Sequence, residues 1–509
     1  MGIGFDHQSH FSIFAYLYEQ KGVWRQAAPE SASMFLSYPP LAGALGVGLA
    51  TLASPDGLAT TQLVRPYIQT SSGMFGLSAG LLAWTAAEAG RTVAITRGRG
   101  DRAGVVAVVS GLAVGGYIVL GPASALFDYG FNNFFLAVAI ATSASWLVIS
   151  ERDGSASQAA ATTVAAATAM GLLWTPLVGL LLPAGLILAV RIISRRSWKT
   201  LALAVILAGV GMWVVAWQAR RMIPDGPAAT SFAQAIASLG GGQPAIPVPH
   251  LVILLVLGLS GLALTRTRPG VSWLAPWAVP GAGAVITLAF AANAIRLGFP
   301  VLDAYFVAKT VWIVYLSVLP LIGTMVAAAM LMVLRNLAGH DAAYGRAPQG
   351  DRTRLALVGA LTLALVWLST PTQSTSRGHF DYYTIPVGSQ AVLDRRDEFR
   401  GGAEGRAVVQ ALEVTRNQQS RLTVIWKGRD LLTNRWLASL RGDLTVQNDV
   451  IFQALAEAPD GSAARGVLEQ ALAADPTLDV VIVASEATHP DSLQSLIVQF
   501  PGRVAIQHI

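Results

Sequence analysis

Residues 171–183 read Gly171-Leu172-Leu173-Trp174-Thr175-Pro176-Leu177-Val178-Gly179-Leu180-Leu181-Leu182-Pro183, in the middle of an almost unbroken apolar run from 160 to 193. About 20 apolar residues cross the roughly 30 Å of bilayer hydrocarbon, so the run is too long for one crossing. Pro176 has no amide hydrogen and its ring clashes with the preceding turn, which breaks a helix. The run therefore predicts two spanning helices, 158–174 and 176–193, folded into a tight hairpin at Thr175-Pro176.

Working outward, eight more apolar runs have similar length: 68–90, 103–122, 131–150, 201–219, 250–266, 274–295, 311–334 and 355–371. Only helices and closed barrels satisfy their backbone inside lipid. These runs are continuous rather than alternating, so they predict helices, about ten in all. Composition agrees. Of 509 residues, 53% are hydrophobic and only 13% charged, against roughly 25% charged in soluble domains. The absence of cysteine excludes disulfides and thiolate metal sites. The formal charge of +6 sits in short loops between apolar runs, which is a membrane-topology bias and not a nucleic-acid footprint.

One set of loops carries Arg91, Arg97, Arg99, Arg102, Arg152, Arg191, Arg195, Arg196, Lys199, Arg266, Arg268, Arg335, Arg346, Arg352 and Arg354. The other set carries fewer cations: Lys21, Arg25, Arg65, Arg220, Arg221, Arg296 and Lys309. The richer set is expected on the cytoplasmic side of a cell membrane. The N-terminal segment, the loops near 122–131, 220–249 and 296–310, and the C-terminal tail then face outward. No cleavable signal peptide is visible. The chain opens abruptly on Met1-Gly2-Ile3-Gly4-Phe5-Asp6, and a further spanning helix is expected ahead of it.

Residues 1–67 read as a first outer loop. Within it, 8–20 predicts an interfacial helix with Phe11, Phe14, Ala15 and Tyr18 on one stripe. Residues 40–54 predict a second surface or re-entrant helix. Beyond about 372 charge rises and apolar runs shorten. Arg421–Trp426, Asp479–Ser485 and Arg503–Gln507 predict strands, with helices near 405–416, 429–440, 446–457, 461–474 and 489–499. The reading is a polytopic α-helical membrane domain, 1–371, followed by an extracytoplasmic α/β domain, 372–509, long enough to hold its own core. The strand at 480–485 leads into Glu486-Ala487-Thr488-His489-Pro490-Asp491, a place for a ligand at a strand crossover. No glycine-rich phosphate loop accompanies it, which leaves docking, acceptor recognition or a stabilising lid.

Asp6-His7-Gln8-Ser9-His10 is the polar opening of the chain. Asp6 reads either as the N-cap of the following helix or as a carboxylate that takes a proton from an acceptor hydroxyl as the new bond forms. Asp6, His7 and His10 together leave a divalent metal open. Tyr38-Pro39-Pro40 is a rigid extended turn, either a helix start or the fixed wall of a cleft. Asp128, between Phe127 and Tyr129, is a second acid in an outward loop or an ordinary loop aspartate. Arg220, Arg221, Arg296 and Lys309 are outward cations that suit an anionic leaving group; for Arg220 and Arg221 snorkelling at a helix end is the alternative. Tyr305 and Lys309 lie four residues apart on one helical face.

Asp6 with its helix, Tyr38-Pro39-Pro40-Leu41 running into an apolar segment, and the span at 68–90 ending in arginine resemble the first outer loop of GT-C glycosyltransferases. That superfamily includes protein O-mannosyltransferases and lipid A aminoarabinose transferases. The 171–183 hairpin resembles theirs as well. The likeness covers about the first 200 residues, and beyond them it rests on topology up to 371. Where many members carry a second acid, this chain has His7. The resemblance implies transfer of a sugar from a polyprenyl-phosphate donor to a glycan, lipid or protein acceptor outside the membrane, with Asp6 as base. Two other classes stay open: a transporter or flippase, which places ionisable groups mid-span, and a non-catalytic assembly protein for envelope polysaccharide.

Overall fold

The structure, a computed structural model, describes residues 5–19, 41–53, 58–96, 98–128, 130–150, 155–222, 251–256, 275–298, 301, 305–340, 372–375, 382–386, 403–418, 421–426, 431–484 and 491–509. It is mostly helical. Its contacts divide the chain into two compact units. One joins Met1–Ser71, Asp128–Gly130 and Leu393–Ile509; the other holds Ser72–Phe127 and Phe131–Val392. Chain order alone did not suggest this grouping of the two ends.

The larger unit is a helical bundle. Its elements are α3 (Val64–Thr96, which belongs to it from Ser72), α4 (Ala103–Leu120), α5 (Asn132–Ser150), α6 (Ala156–Trp174), α7 (Leu182–Ser194), α8 (Trp198–Met222), α9 (Ala275–Arg296) and α10 (Tyr305–His340). A two-stranded antiparallel ribbon, β1 (Thr372–Thr375) with β2 (Tyr382–Pro386), also belongs to it. The elements of the smaller unit precede and follow: α1 (Phe5–Glu19), α2 (Leu41–Ala53), α11 (Ala403–Val414), β3 (Leu422–Ile425), α12 (Leu431–Arg441), α13 (Val446–Glu457), α14 (Gly461–Ala474), β4 (Val480–Ala484), α15 (Asp491–Gln499) and β5 (Val504–His508).

Five helical stretches among the described residues are long and apolar enough to cross a membrane: Gly100–Val119, Asn132–Ser150, Ala156–Ser194, Trp277–Arg296 and Phe306–Leu331. The run Ala156–Ser194 is the expected hairpin. α6 ends at Trp174, a 3-10 segment Thr175–Leu181 carries the chain round Pro176, and α7 returns. Leu188 and Ile192 of α7 share a cluster with Ala160 near the start of α6, so the two helices run antiparallel. The apolar run in α8, Trp198–Val214, is shorter, and α3 is less apolar than the five. Of the other expected spans, 250–266 is described only over 251–256 and 355–371 lies outside the described residues.

Printed contacts fix the helix directions. Ser143 bonds Thr85 and the Leu81 carbonyl, and Ala89 packs with Trp146 and Ile149, so α3 and α5 run parallel. Val93 and Ala94 meet Ala103, Val106 and Ala327, which gathers the end of α3, the start of α4 and the later half of α10. Arg191 donates to the last carbonyls of α5, those of Val148 and Ile149, where a cation offsets the negative helix end. The connections at 91–102, 150–156 and 191–199 therefore share one end of the bundle. Those at 121–131, 174–181 and 297–304 share the other. Arg91, Arg99, Arg102, Arg195, Arg196 and Lys199 all fall at the first end.

The bundle interior mixes small and hydroxylated residues with large ones such as Phe134, Phe135, Trp312 and Tyr315, and many further large apolar side chains point out. Val105, Val108 and Leu112 on α4, Leu186 and Val190 on α7, and Ile206 and Trp213 on α8 are exposed. That is the distribution of helices solvated by lipid, which associate through close packing of small residues. One close backbone approach is between α3 and α10. A Cβ on Gly323 would stand 2.6 Å from the Ala86 carbonyl oxygen and 2.8 Å from the Ala86 Cβ, while Ser110 donates to the Gly323 carbonyl at 3.0 Å. Gly323→Ala must push two backbones apart. We expect it to destabilise the bundle by about 1–3 kcal/mol, as overpacking does, read as a lower unfolding midpoint in detergent. Pro320 lies within α10 and removes a helix donor. Beside it is a cavity of about 10 Å³ lined by Thr85, Thr142, Trp146 and Ser317 among others, near the size of one water.

The smaller unit is an α/β sandwich. β3, β4 and β5 form a parallel sheet in that order, matching the three expected strands. The order is sequential, so the described strands have no reversal at which a crossover crevice opens. Every residue of β4, Val480–Ala484, is buried, as a strand covered on both faces requires. Leu422, Val424, Val480, Ile482 and Val504 face Leu444, Phe452, Leu468, Leu472 and Leu493 from the helices α13–α15 and the turn before them. On the other face, Ile425, Val481 and Val483 share a cluster with Val408 and Trp436, and with Phe11, Phe14, Leu63 and Tyr67 from the N-terminal segment.

This last contact bears on two expectations. Helix α1 is buried by protein on both sides: Phe11 and Phe14 enter one cluster, Ile13 and Leu17 the other. An interfacial helix keeps one face on headgroups. Its polar residues Gln8 and Ser12 are hydrogen-bonded instead to Ser439. The C-terminal segment likewise shares its core: one face of its sheet packs on Phe11, Phe14, Leu63 and Tyr67.

Two ion pairs brace the unit. Arg435 and Asp449 form a buried bidentate pair between α12 and α13. Arg441 bonds Asp443 at 3.0 Å and also the Thr415 and Gln418 carbonyls. Burial nonetheless pushes the Asp443 carboxyl from 3.8 up to about 6, only partly offset by Arg441. The folded state thus binds this proton more tightly than the unfolded chain. Its contribution is fully present below about pH 4 and is lost as pH rises through about 6. We expect the melting midpoint of this unit, read from the amide protection of β4, to fall between pH 4 and pH 7.5. Asp443→Asn should flatten that dependence; an unchanged slope would assign it to another group.

Candidate functional site

The polar opening of the chain forms the first two turns of α1. Asp6 is the second residue of the helix, inside its first turn rather than at an N-cap, where a carboxylate suits the positive helix end. Nothing further is described of its side chain. The residues after it are fixed. His7 is 1% exposed and its Nδ1 lies 2.8 Å from the Tyr67 hydroxyl, with the rings edge to face at 5.7 Å. Tyr67 stands at the start of α3, so α1 is pinned to the helix that leads into the bundle. One turn along, the Gln8 amide donates to Ser12 and Ser439, and Ser439 donates to the Arg435 carbonyl. The Gln8 Oε1 is buried without a hydrogen-bond partner. Phe11 then meets both Tyr67 and Trp436, at 5.6 Å in each case.

These anchors begin at His7, one residue beyond Asp6. His10 is half-buried on the same helix. Among the described residues no three metal-ligating side chains gather, and His7 Nδ1 is engaged by Tyr67. Tyr38 lies outside the described residues. Asp128 ends a single turn, Ala125–Asp128. Although Phe127 and Phe131 on either side belong to the bundle, Asp128–Gly130 belong to the unit that contains α1.

The cations are placed differently. Arg220 and Arg221 stand in the last turn of α8, and Tyr305 opens α10; only their backbones are described. Arg296 is exposed at the end of α9 and donates to Asn293 at 2.9 Å, a helix-end cation satisfied on its own helix. Lys309 is 6% exposed. Its Nζ lies 4.1 Å from the Phe131 ring centroid, 5.1 Å from Trp174 and 5.7 Å from Phe134. Trp174 stacks on Phe306, and Phe306 on Phe290. The ammonium is therefore held in an aromatic box at the bundle end opposite the arginine-rich one. Each desolvated cation–π contact of this kind is worth up to about 2 kcal/mol.

The aromatic box and the His7–Tyr67 pair escaped sequence reasoning. The signal for the box was present in Phe131-Asn132-Asn133-Phe134-Phe135, where aromatics crowd a span end. Nothing local marks Tyr67 as the partner of His7. Comparison of the sequence with protein-family descriptions and with curated proteins finds no match.

Proposed function

We propose that the chain is an integral-membrane glycosyltransferase of the GT-C kind, moving a sugar from a polyprenyl-phosphate donor to a hydroxyl of an acceptor outside the cell membrane. The observation that carries this reading is the grouping of Asp128–Gly130 with α1. Two acids distant in the chain fall in one compact unit. The segregation of arginines to one bundle end supports a cytoplasmic assignment for that end. The opposite end, with the loops near 122–131 and 296–304, then faces outward.

In the proposed reaction the acceptor oxygen attacks the anomeric carbon of the donor. The bond from that carbon to the phosphate oxygen breaks, and its electron pair leaves with the lipid phosphate. The hydroxyl proton passes to the Asp6 carboxylate as the new bond forms. Asp128 orients the sugar or serves as a second acid, and outward cations offset the charge that develops on the phosphate.

The test is direct. Membranes containing the chain are incubated with polyprenyl phosphates carrying labelled sugars. Label should move into a glycan, lipid or protein fraction, and should not do so in membranes lacking the chain. Failure with a full panel of such donors would remove the proposal.

A further inference from the structure

We infer that α2, Leu41–Ala53, is a monotopic membrane contact: its leucine face lies in bilayer hydrocarbon and sets the depth of the unit that carries Asp6. The helix is sorted the wrong way round for water. Gly43, Gly46 and Ala50 face protein, while Gly48 is open. A Cβ on Gly43 would stand 2.8 Å from Leu17, and one on Gly46 would stand 2.8 Å from Phe14 and 3.3 Å from Thr70. Val47 packs inward, but three of its four leucines face away, with Leu45 48%, Leu49 57% and Leu52 82% exposed.

These three leucines fall four and three residues apart, on one stripe. A helix meant for water would bury its leucines and expose its glycines. The same inversion marks the outward faces of α4, α7 and α8. Nothing on the helix needs water. The sequence carries no charged residue from 31 to 55, and the exposed Thr51 returns its hydroxyl to the Val47 carbonyl at 2.8 Å.

Length and continuity identify the occupant. Thirteen residues reach about 20 Å, short of the roughly 30 Å of hydrocarbon, so α2 does not cross. It packs at Thr70, two residues before α3 passes to the unit holding the candidate spans. Farther along, the helix it leans on also turns large apolar side chains outward, with Leu77 55% and Trp84 38% exposed. This inference is independent of the sugar-transfer reading and would stand if that failed.

The chain has no cysteine, so single-cysteine labelling needs no prior changes. Leu45→Cys, Leu49→Cys and Leu52→Cys are each spin-labelled in the full-length protein, reconstituted in phosphatidylcholine–phosphatidylglycerol vesicles. Val498, 81% exposed on α15, supplies the aqueous control as Val498→Cys. At the three leucine sites, collisions with dissolved oxygen should exceed those with a water-soluble nickel complex severalfold, and the order should reverse at Val498. Nickel access at the leucine sites equal to that at Val498 would overturn the inference. So would low access to both reagents, which would mean that protein, such as a second copy, covers the face.

Discussion

Asp6→Asn is expected to lower sugar transfer by about 10²–10⁴-fold, the range that a positioned general acid or base contributes, while leaving its unit folded. The amide keeps the size and much of the hydrogen bonding of the carboxylate. It cannot receive the acceptor proton, so the loss should fall on the chemical step more than on donor binding. Folding should be indifferent, because the anchors of α1 begin one residue later with the His7–Tyr67 and Gln8–Ser439 bonds. The pH profile separates a catalytic role from a structural one. The wild-type rate should fall at acid pH as the base protonates, and the residual Asn activity should lack that limb. Unchanged transfer in Asp6→Asn would end the assignment of Asp6 as base. Asp128→Asn makes a graded companion: an orienting residue loses less than a base.

The parts of the fold that could be read from sequence are those whose determinants are local. Val480-Val481-Ile482-Val483 is apolar at every position, and β4 is buried at every position, so its place in a covered parallel sheet followed from the run itself. The helices α11–α15 lie within a few residues of the expected segments because their caps and periodicity are written nearby; Thr445 and Asp460 accept bonds from the third amide beyond them. Pro176 marked the hairpin turn for the same reason. What was not legible depends on partners far away in the chain. Gln8 and Ser12 made α1 look like a surface helix. They are polar because they meet Ser439, 431 residues from Gln8, and no window of sequence contains that fact. Lys309 was read as an outward cation from its place before a span. Its burial is decided by Phe131, in the turn before α5, and Trp174, at the end of α6. The candidate site was thus readable as a set of residue types and not as a set of partners.

The same long-range dependence gives the largest stability effect. Phe11→Ala in the full chain should destabilise the α/β unit by about 3–5 kcal/mol, the usual cost of emptying a buried aromatic site. That is a large share of the roughly 5–15 kcal/mol that holds a domain together. Phe11 is 0% exposed and bridges Tyr67 of the N-terminal segment and Trp436 on α12, next to the sheet face formed by Ile425, Val481 and Val483. If residues 393–509 held a core of their own, losing a ring from α1 would leave β4 protected. If the N-terminal segment is part of that core, the amides of Val480–Ala484 open with the whole unit. Their hydrogen exchange should then speed up by about 10²–10⁴-fold, the factor that corresponds to this loss when exchange follows opening of the unit. The comparison between positions carries the argument. The spanning segment Asn132–Ser150 in the other unit should keep its wild-type exchange, because Phe11 has no part in its packing. Acceleration at β4 with none in Asn132–Ser150 makes the segments Met1–Ser71 and Leu393–Ile509 one folding unit. Equal protection of β4 in wild type and variant would return the C-terminal segment to independence and leave α1 as a helix that merely rests upon it.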